Sequence, residues 1–349
     1  MTMRWWTPDA LAARRPYLQT RMKAKQAMAD WFAVQGFEEV ETPALQTSPG
    51  MEPHLAAFET QILPAGHYGV PDAGRPMYLH TSPEFAMKKL LAAGMERIWQ
   101  LCPVYRNAEG SATHSPEFRM LEWYRAGAGY TALMDDCEAM IAAIAAACGT
   151  DTLRRGSRSA RAEGPFRRLR VADAFLEYCG HDLAATVAEN PAAPPAAPLI
   201  DCARRLGVRT AEGDGFDDVF FRLMDDRIEP NLGDGAPCLL HDYPVSMAAL
   251  SRPKPDDPNW AERVELYICG VELANGFGEL TDAAEQKRRF EADMAAKERL
   301  YGHRYPIDED FIAAVAEMPA AAGMALGFDR LVMLLTGADR IKDVLWAPV

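Results

Sequence analysis

The sequence predicts an α+β fold in which an antiparallel β-sheet is flanked by helices, and three observations support it. Residues 97–105 and 118–125 alternate side chains with a period of two on either side of a polar loop, which is typical of a half-buried hairpin. Residues 264–272 repeat this alternation. The segments 8–35 and 129–150 instead have the pattern of amphipathic helices.

Composition places the chain among globular proteins. Its 349 residues are 49% hydrophobic and 25% charged, which is enough to build a full core, and we predict a single domain over 1–349. The net charge of −13 argues against long nucleic acid as the main partner. The seven cysteines include no CxxC pair, so reduced thiols and no zinc site are expected. Because neither a signal peptide nor a membrane-spanning segment is expected, the predicted location is the cytoplasm.

The N-terminal part of the chain predicts a helix, a short strand and a proline that ends it. Gly36 is placed to end the first helix, and Pro43 ends the strand that follows. This unit is interpreted as a subunit interface, so a homodimer is expected. A second helix is predicted after Ser82, which suits an N-cap, with Pro83 at the first helical position.

The central hairpin carries a group of chemically active side chains. Glu122 and Tyr124 fall on the same strand face as Phe118 and Met120. A charge in such a position is costly unless it binds something. Arg106 enters the loop between the two strands. A cation and an aromatic ring suit a nucleotide, and an inward-facing carboxylate suits a substrate that carries an amine.

The middle of the chain contains a variable Arg- and Ala/Pro-rich insertion at 150–215. Its arginine cluster at 153–170 fits a solvated loop flanking a strand, or a docking patch for an acidic partner, and we expect it to lie away from the nucleotide. The proline-rich stretch 190–198 is expected at the surface. Residues 216–229 then predict a helix, and 238–244 a strand.

A second active segment follows the strand at 264–272. That strand is predicted to end at Glu272, and Asn275 and Glu279 are placed in a glycine-containing turn. Two carboxylates and an amide there could hold a divalent metal and an ammonium group, or form only an acidic turn.

Near the C-terminus, small residues lead into a helix predicted to start close to Phe328. Arg330 lies in its first turn, where a cation opposes the helix dipole, so we expect it to face an anion bound at that positive end. The sequence has no Walker-type or Rossmann glycine motif and no internal repeat.

Five ordered motifs resemble the lysyl-tRNA synthetase branch of the class II aminoacyl-tRNA synthetases. They are TSPE at 81–84, RNAEGSATHSPEF at 106–118, MLEWY at 120–124, ELANGFGEL at 272–280 and GMALGFDRLVML at 323–334. The resemblance covers essentially the whole chain and implies the class II catalytic fold. Because the chain begins at the first catalytic-domain helix, no anticodon-binding domain is expected. The chain therefore resembles the truncated synthetase paralogues that modify elongation factor P.

That resemblance implies an ATP-dependent ligase. It would activate (R)-β-lysine, or lysine, as an aminoacyl adenylate and transfer it to a lysine side chain of elongation factor P, releasing AMP and pyrophosphate. Two alternatives remain open: a stand-alone lysyl-tRNA synthetase-like enzyme that charges tRNA, and a non-catalytic paralogue that binds a partner. A free amine or ammonia acceptor is a more distant third.

The resemblance also implies the site residues. Arg106 is expected on the α-phosphate and the substrate carboxylate, and Arg330 on the γ-phosphate; these two are the expected catalytic residues. The expected ATP-binding residues are Arg106, Asn107, Glu109, Ser115, Phe118, Glu272, Leu273, Gly327 and Arg330. The expected amino-acid-binding residues are Ser82, Glu84, Glu122, Tyr124, Asn275, Glu279 and Ala325. The expected Mg²⁺ ligands are Glu272 and Glu279. Ser82 and Ala325 replace alanine and glycine of the synthetases, so a reshaped amino-acid pocket is expected.

The loop after Arg106 departs from the family pattern. Ala108 stands where the synthetases carry a glutamate that reaches the adenine amino group, so either Glu109 has taken over or that contact is made by backbone alone. Ser115 replaces an asparagine and Thr113 an arginine. His114 matches the family, but it is interpreted as bonding the turn or touching a phosphate and is left outside the predicted site.

Overall fold

The computed structural model describes residues 4–70 and 72–349. Its helices are α1 (Pro8–Val34), α2 (Glu84–Ala92), α3 (Tyr130–Cys148), α4 (Val171–Cys179), α5 (Leu183–Glu189), α6 (Ala197–Leu206), α7 (Phe216–Leu223), α8 (Ala283–Tyr301), α9 (Glu309–Glu317), α10 (Phe328–Thr336) and α11 (Ile341–Val344). Its strands are β1 (Glu38–Glu39), β2 (Leu45–Gln46), β3 (Phe58–Ile62), β4 (Arg75–Leu79), β5 (Arg97–Tyr105), β6 (Glu117–Ala126), β7 (Thr152–Arg155), β8 (Arg158–Arg161), β9 (Arg167–Arg170), β10 (Cys238–Pro244), β11 (Trp260–Ile268), β12 (Val271–Gly278) and β13 (Ala321–Gly327).

The main sheet has eight strands in the order β1-β5-β6-β13-β12-β11-β10-β9. Its six inner strands pair antiparallel, and only the edge strands β1 and β9 pair in parallel with their neighbours. The strands β2, β4 and β3 form a smaller sheet, and β7 and β8 form a separate hairpin. The predicted α+β class, with a largely antiparallel sheet flanked by helices, is confirmed.

One face of the main sheet is covered by α1, α3 and α10. Leu121 and Trp123 of β6 are fully buried in this core, where Phe32 of α1 stacks on Trp99 with ring centroids 4.9 Å apart. Burying a side chain of this size contributes roughly 1.5–3 kcal/mol. Because successive strand residues point to opposite faces, the residues that alternate with Leu121 and Trp123 face the other side of the sheet. Because one set of alternate side chains is buried in the core, the other set is the one available to form the site.

The turn predicted around Asn275 is wrong, because residues 271–278 form β12. The actual turn is Cys269–Gly270, with φ of +54° and +69°, and it joins Ile268 directly to Val271. A two-residue turn with both φ angles positive matches the right-handed twist of antiparallel strands. Cysteine is an unusual residue at the first of these positions, so the sequence carried no Asn-Gly or Asp-Gly signal for this hairpin.

The segment before the C-terminal helix is a strand, β13, and lies at the centre of the sheet between β6 and β12. Its alanines and glycines have little β preference, so the sequence did not predict it. Gly323 shows why small residues are needed: a Cβ atom there would lie 2.2 Å from Cε1 of Tyr124. Tertiary packing, rather than local propensity, sets the conformation of this segment.

The insertion predicted at 150–215 forms β7 to β9 and α4 to α6. The arginine-rich part is therefore strand as well as loop. Leu153 and Ala160 of the β7–β8 hairpin are buried in the main core, while α4, α5 and α6 contribute to a second core with α7 and β10. Throughout the described residues, no helix is long and apolar enough to cross a membrane.

Candidate active site

A cavity of about 420 Å³ opens on the sheet face opposite the α1–α3–α10 core. The predicted site residues that line it are Ser82, Glu84, Arg106, Glu109, Ser115, Phe118, Glu272, Leu273, Asn275, Ala325, Gly327 and Arg330. The other predicted residues, Asn107, Glu122, Tyr124 and Glu279, do not line it. The structure thus brings together residues from four distant stretches of the sequence.

Strand register is what gathers these side chains. Glu122 lies directly opposite Ala325, and Ala325 lies opposite Asn275, so the three form a row across β6, β13 and β12. The ladder between β11 and β12 then shifts by one residue, at a bulge next to Glu272. Because the side-chain period is two, this extra residue turns Glu272 onto the same face as Asn275.

Two guanidinium groups lie at one end of the cavity. The Cζ atom of Arg106 lies 5.4 Å from the centre of the Phe118 ring. Arg330 donates to the backbone oxygen of Glu272 at 2.7 Å and to Nε2 of His114. Burial lowers the pKa of Arg330, and the charge of Arg106 lowers it further. Among the described residues neither arginine forms an ion pair, so both remain available for phosphate.

His114 belongs to this end of the site, although the sequence prediction excluded it. Burial, followed by the charge of Arg330, lowers the pKa of His114. The neutral ring accepts from Arg330 at Nε2, so Nδ1 carries the proton and donates to the Ser111 hydroxyl at 2.7 Å. His114 thus both bonds the turn and orients Arg330. Its place in the family motif was the signal that could have included it.

The departure at Ala108 changes the loop conformation. Ala108 has a φ of +60°, and Oδ1 of Asn107 accepts its backbone N–H at 2.9 Å. Asn107 is exposed and directed to its own loop, whereas Glu109 lines the cavity. This geometry supports Glu109, rather than Asn107, as the loop residue that reaches a ligand.

At the opposite end, Glu122 is fully buried and hydrogen-bonded. It accepts from the Ser82 hydroxyl at 2.7 Å and from the Tyr124 hydroxyl at 2.5 Å. The α2 helix begins at Glu84 with Pro83 at the N-cap, one residue later than predicted. Ser82 nevertheless accepts the Glu84 backbone N–H at 3.1 Å while it donates to Glu122.

Lys88 also belongs to this end of the site, although the sequence analysis did not predict it. Its Nζ lies 2.5 Å from Glu84 Oε1 and 2.6 Å from Glu279 Oε2, and its side chain is 2% exposed. Its spacing of four residues from Glu84 looks like a surface helix pair, which hid its role. Two of the three buried carboxylates, Glu84 and Glu279, therefore share one ammonium group, and Glu122 has none among the described residues. Burial raises the pKa of Glu122 and Glu279, each to about 8. Glu84, Glu122 and Glu279 together form what we call the carboxylate wall. It contains more carboxylates than ammonium groups, so it suits a ligand that carries an amine.

The two predicted metal ligands have different surroundings. The Glu272 carboxylate lines the cavity and, within the described residues, accepts no hydrogen bond; burial and then the charge of Glu265 raise its pKa. Glu265 itself is buried and accepts from the hydroxyls of Tyr243 and Tyr267. Glu279 is instead bound to Lys88. A carboxylate that accepts no hydrogen bond from a described residue and lies beside two arginines could hold Mg²⁺ at Glu272, whereas ligation by Glu279 stays a prediction. The described residues contain no group of three or more acidic, His or Cys side chains that could hold a metal ion.

The arginine cluster does not lie wholly away from this site. Arg154 and Arg155 line a small hollow together with Thr113 and Arg330, so the expectation is wrong for these two residues. Arg167 and Arg168 are instead paired with Glu177 and Asp135 and do not line the cavity.

Comparisons with known proteins agree with this geometry. The family model of class II tRNA synthetases (D, K and N) matches residues 10–349. An elongation factor P–(R)-β-lysine ligase from Vibrio cholerae is 38% identical over 351 residues, which cover 100% of this chain and 99% of that protein. The ligase of the same name from Sodalis glossinidius is 37% identical, covering 97% and 96%. That from Haemophilus ducreyi is 35% identical, covering 97% and 95%.

Proposed function

We propose a function on the premise that this chain belongs to the class II tRNA synthetases (D, K and N) and, among them, to the family of elongation factor P–(R)-β-lysine ligases. It is an ATP-dependent ligase that activates (R)-β-lysine as an aminoacyl adenylate and transfers it to a lysine side chain of elongation factor P. The observation that carries this proposal is the division of the cavity into two ends. One end has two guanidinium groups that form no ion pair among the described residues, and the other is lined by Ser82 and Glu84, with the carboxylates of Glu122 and Glu279 buried directly behind them.

ATP occupies the guanidinium end. Phe118 stacks on the adenine, Arg106 holds the α-phosphate and Arg330 the γ-phosphate, with Glu109 supplying the loop contact. His114 keeps Arg330 oriented from behind. Mg²⁺, when held by Glu272, neutralises phosphate charge.

The amino acid occupies the carboxylate wall. Its ammonium groups supply the positive charge that Glu84, Glu122 and Glu279 lack, and the Tyr124 and Ser82 hydroxyls hold Glu122 in place for them. Asn275 and Ala325 lie in the same row across the sheet and form the floor of the pocket. The amino-acid carboxylate, fixed beside Arg106, is then positioned to attack the α-phosphorus.

Positioning and charge neutralisation account for catalysis with little acid–base chemistry. A carboxylate oxygen forms a bond to the α-phosphorus as the bond to pyrophosphate breaks. The acceptor lysine amine then attacks the adenylate carbonyl, AMP leaves with the bonding electrons, and the amine loses a proton to give an amide. Arg106 compensates the negative charge in both steps.

The test is to incubate the chain with ATP, elongation factor P and either (R)-β-lysine or each lysine isomer, and to measure the intact mass of the factor. A gain of one lysine residue is expected. Pyrophosphate exchange without any gain would contradict transfer to the factor, and efficient charging of tRNA in parallel would favour the synthetase alternative. Absence of exchange would favour a non-catalytic paralogue.

We also propose how the chain assembles and where in the cell it acts. The chain forms a homodimer through α1 and the segment at Pro43, supported by the exposed apolar side chains of Leu11, Met22 and Leu45. It acts in the cytoplasm, in keeping with its seven free cysteines.

A further inference from the structure

The β7–β8 hairpin concentrates unpaired positive charge in an acidic protein. Residues 152–161 contain four arginines and no acidic residue, although the whole chain carries a net charge of −13. Arg154, Arg155 and Arg161 are exposed and Arg158 is half-buried. None of the four forms an ion pair with a described residue, whereas Arg167 and Arg168 in the same insertion both do.

This charge does not serve the stability of the hairpin. Arg155 and Arg158 are directly opposite each other across the two strands, and like charges in that position are destabilising. The anchoring contacts come from Leu153 and Ala160, which pair on the inner face and are buried in the main core. An unfavourable charge pair that packing does not require indicates a function outside the hairpin.

The hairpin borders the reaction cavity at its phosphate end. Arg154 and Arg155 share a small hollow with Arg330 and Thr113. On the other side, Arg155 and Arg158 line a surface depression of about 430 Å³ beside the Cys269–Gly270 turn. The arginines of the hairpin therefore line the hollow next to Arg330 and the adjacent surface depression.

We infer that the β7–β8 hairpin is the surface on which the acceptor protein docks, through an acidic patch on that protein next to its modified lysine. This inference rests on the proposed function, since it names the contact made by the acceptor. The hairpin supplies local attraction for an acidic protein that the remainder of this acidic chain would repel, and so raises the rate of productive encounter.

The distribution of the arginines favours a protein surface over a small anion. Strand alternation places Arg155 and Arg158 on the inner face of the hairpin and Arg154 and Arg161 on the outer face. The four groups therefore do not converge on a single phosphate-sized point. The net charge of −13 also disfavours long RNA as the occupant.

The test reverses two charges of the hairpin that do not line the hollow with Arg330, Arg158→Glu with Arg161→Glu, and leaves Arg154 and Arg155 intact because both line that hollow. The apparent KM for elongation factor P should rise about tenfold or more, while ATP–pyrophosphate exchange with the amino acid stays within about twofold. The matched control is Arg167→Glu with Arg168→Glu, which makes the same change in net charge at exposed positions of the same insertion. The control should leave KM close to wild type.

The outcomes separate this inference from the proposed function. Transfer by the wild type with an unchanged KM in the hairpin variant overturns the docking surface alone. An equal rise in both double variants also overturns it, because net charge would then explain the effect. If the hairpin variant keeps an unchanged KM but loses tRNA binding that the wild type shows in a filter-binding assay, the hairpin contacts RNA and is not the docking surface for the acceptor. A wild type that exchanges pyrophosphate but never modifies the factor overturns the proposed function, and the docking inference with it.

Discussion

At the residue scale, the amino-acid end of the cavity is defined by an imbalance of buried charge. Glu84 and Glu279 share the ammonium group of Lys88, whereas Glu122 forms no ion pair with a described residue. Glu122 depends on two hydroxyls instead. Burying carboxylates without full compensation raises their pKa, so these groups are poised to gain from a cationic ligand.

The affinity for the amino acid should therefore depend on pH. With its pKa raised to about 8, Glu122 is largely protonated at pH 6 and ionises as the pH rises through 8. An ammonium group binds the ionised form, so KM for the amino acid should fall by roughly 25-fold from pH 6.5 to 8.5. Pyrophosphate exchange at varied amino-acid concentration measures this. The Glu122→Gln variant should show a higher KM and a flatter profile, and a wild-type KM independent of pH would contradict the argument.

Arg330 should be essential for activation rather than for folding. Its guanidinium faces the phosphate end without an acidic partner among the described residues, so Arg330→Ala should reduce pyrophosphate exchange by at least about 100-fold. The thermal midpoint should change little. Arg340→Ala removes an exposed arginine that pairs with Asp343 and should leave exchange nearly unaffected. Comparable losses in both variants would show that Arg330 has no special role.

At the scale of one element, β13 shows how small residues create a binding site. Tyr124 of β6 lies against Gly323, and the ring fills the space that a side chain would occupy. The same glycine leaves room for Oε1 of Glu279, 2.6 Å from the position of an added Cβ. The absence of a side chain at Gly323 thus allows Tyr124 of β6 and Glu279, which directly follows β12, to meet above β13.

A methyl group at Gly323 should disturb stability and substrate binding together. Gly323→Ala must displace the Tyr124 ring, at a cost of about 1–3 kcal/mol in the free energy of unfolding, and should raise KM for the amino acid. Urea denaturation and pyrophosphate exchange measure the two effects. Gly110→Ala is the control, because no heavy atom lies within 4 Å of its added Cβ. Equal effects at both glycines would count against the packing argument.

At the scale of the whole molecule, the first and last thirds of the chain are tied together beneath the site. Arg21 of α1 forms a buried ion pair with Asp329 at the start of α10, and its guanidinium lies 5.1 Å from the Phe328 ring. Asp329 also accepts the backbone N–H of Arg119 at 2.7 Å. These contacts fix α10, and with it Arg330, against the central strand β6.

Breaking this pair should destabilise the whole fold. Arg21→Leu leaves the Asp329 carboxylate buried without a cation, which costs about 3–5 kcal/mol in the free energy of unfolding. Chemical denaturation measures the change. Arg304→Leu removes one partner of an exposed pair with Glu298 and should cost less than about 1 kcal/mol. A similar small cost at Arg21 would mean that the buried pair does not anchor α10.

Sequence reasoning found the strands and helices whose patterns are local. The alternation at β5, β6 and β11 and the helical periodicity of α1 were sufficient, because each of these elements has a face in the core. It failed for β12 and β13, where the turn residues were atypical and the strand residues too small to signal a strand. Lys88 and His114 were missed for a related reason: their roles depend on partners more than a hundred residues away, Glu279 and Arg330.

The sequence by itself determined the α+β class, the family resemblance and the chemical types present in the site, since these depend on local periodicity and on ordered motifs. Only the tertiary structure decided which groups are free to act. The bulge beside Glu272 turns the carboxylate of that residue into the cavity, whereas the carboxylate of Glu279 forms an ion pair with Lys88. Both outcomes depend on strand register and on burial, and neither quantity is encoded in any single stretch of the chain.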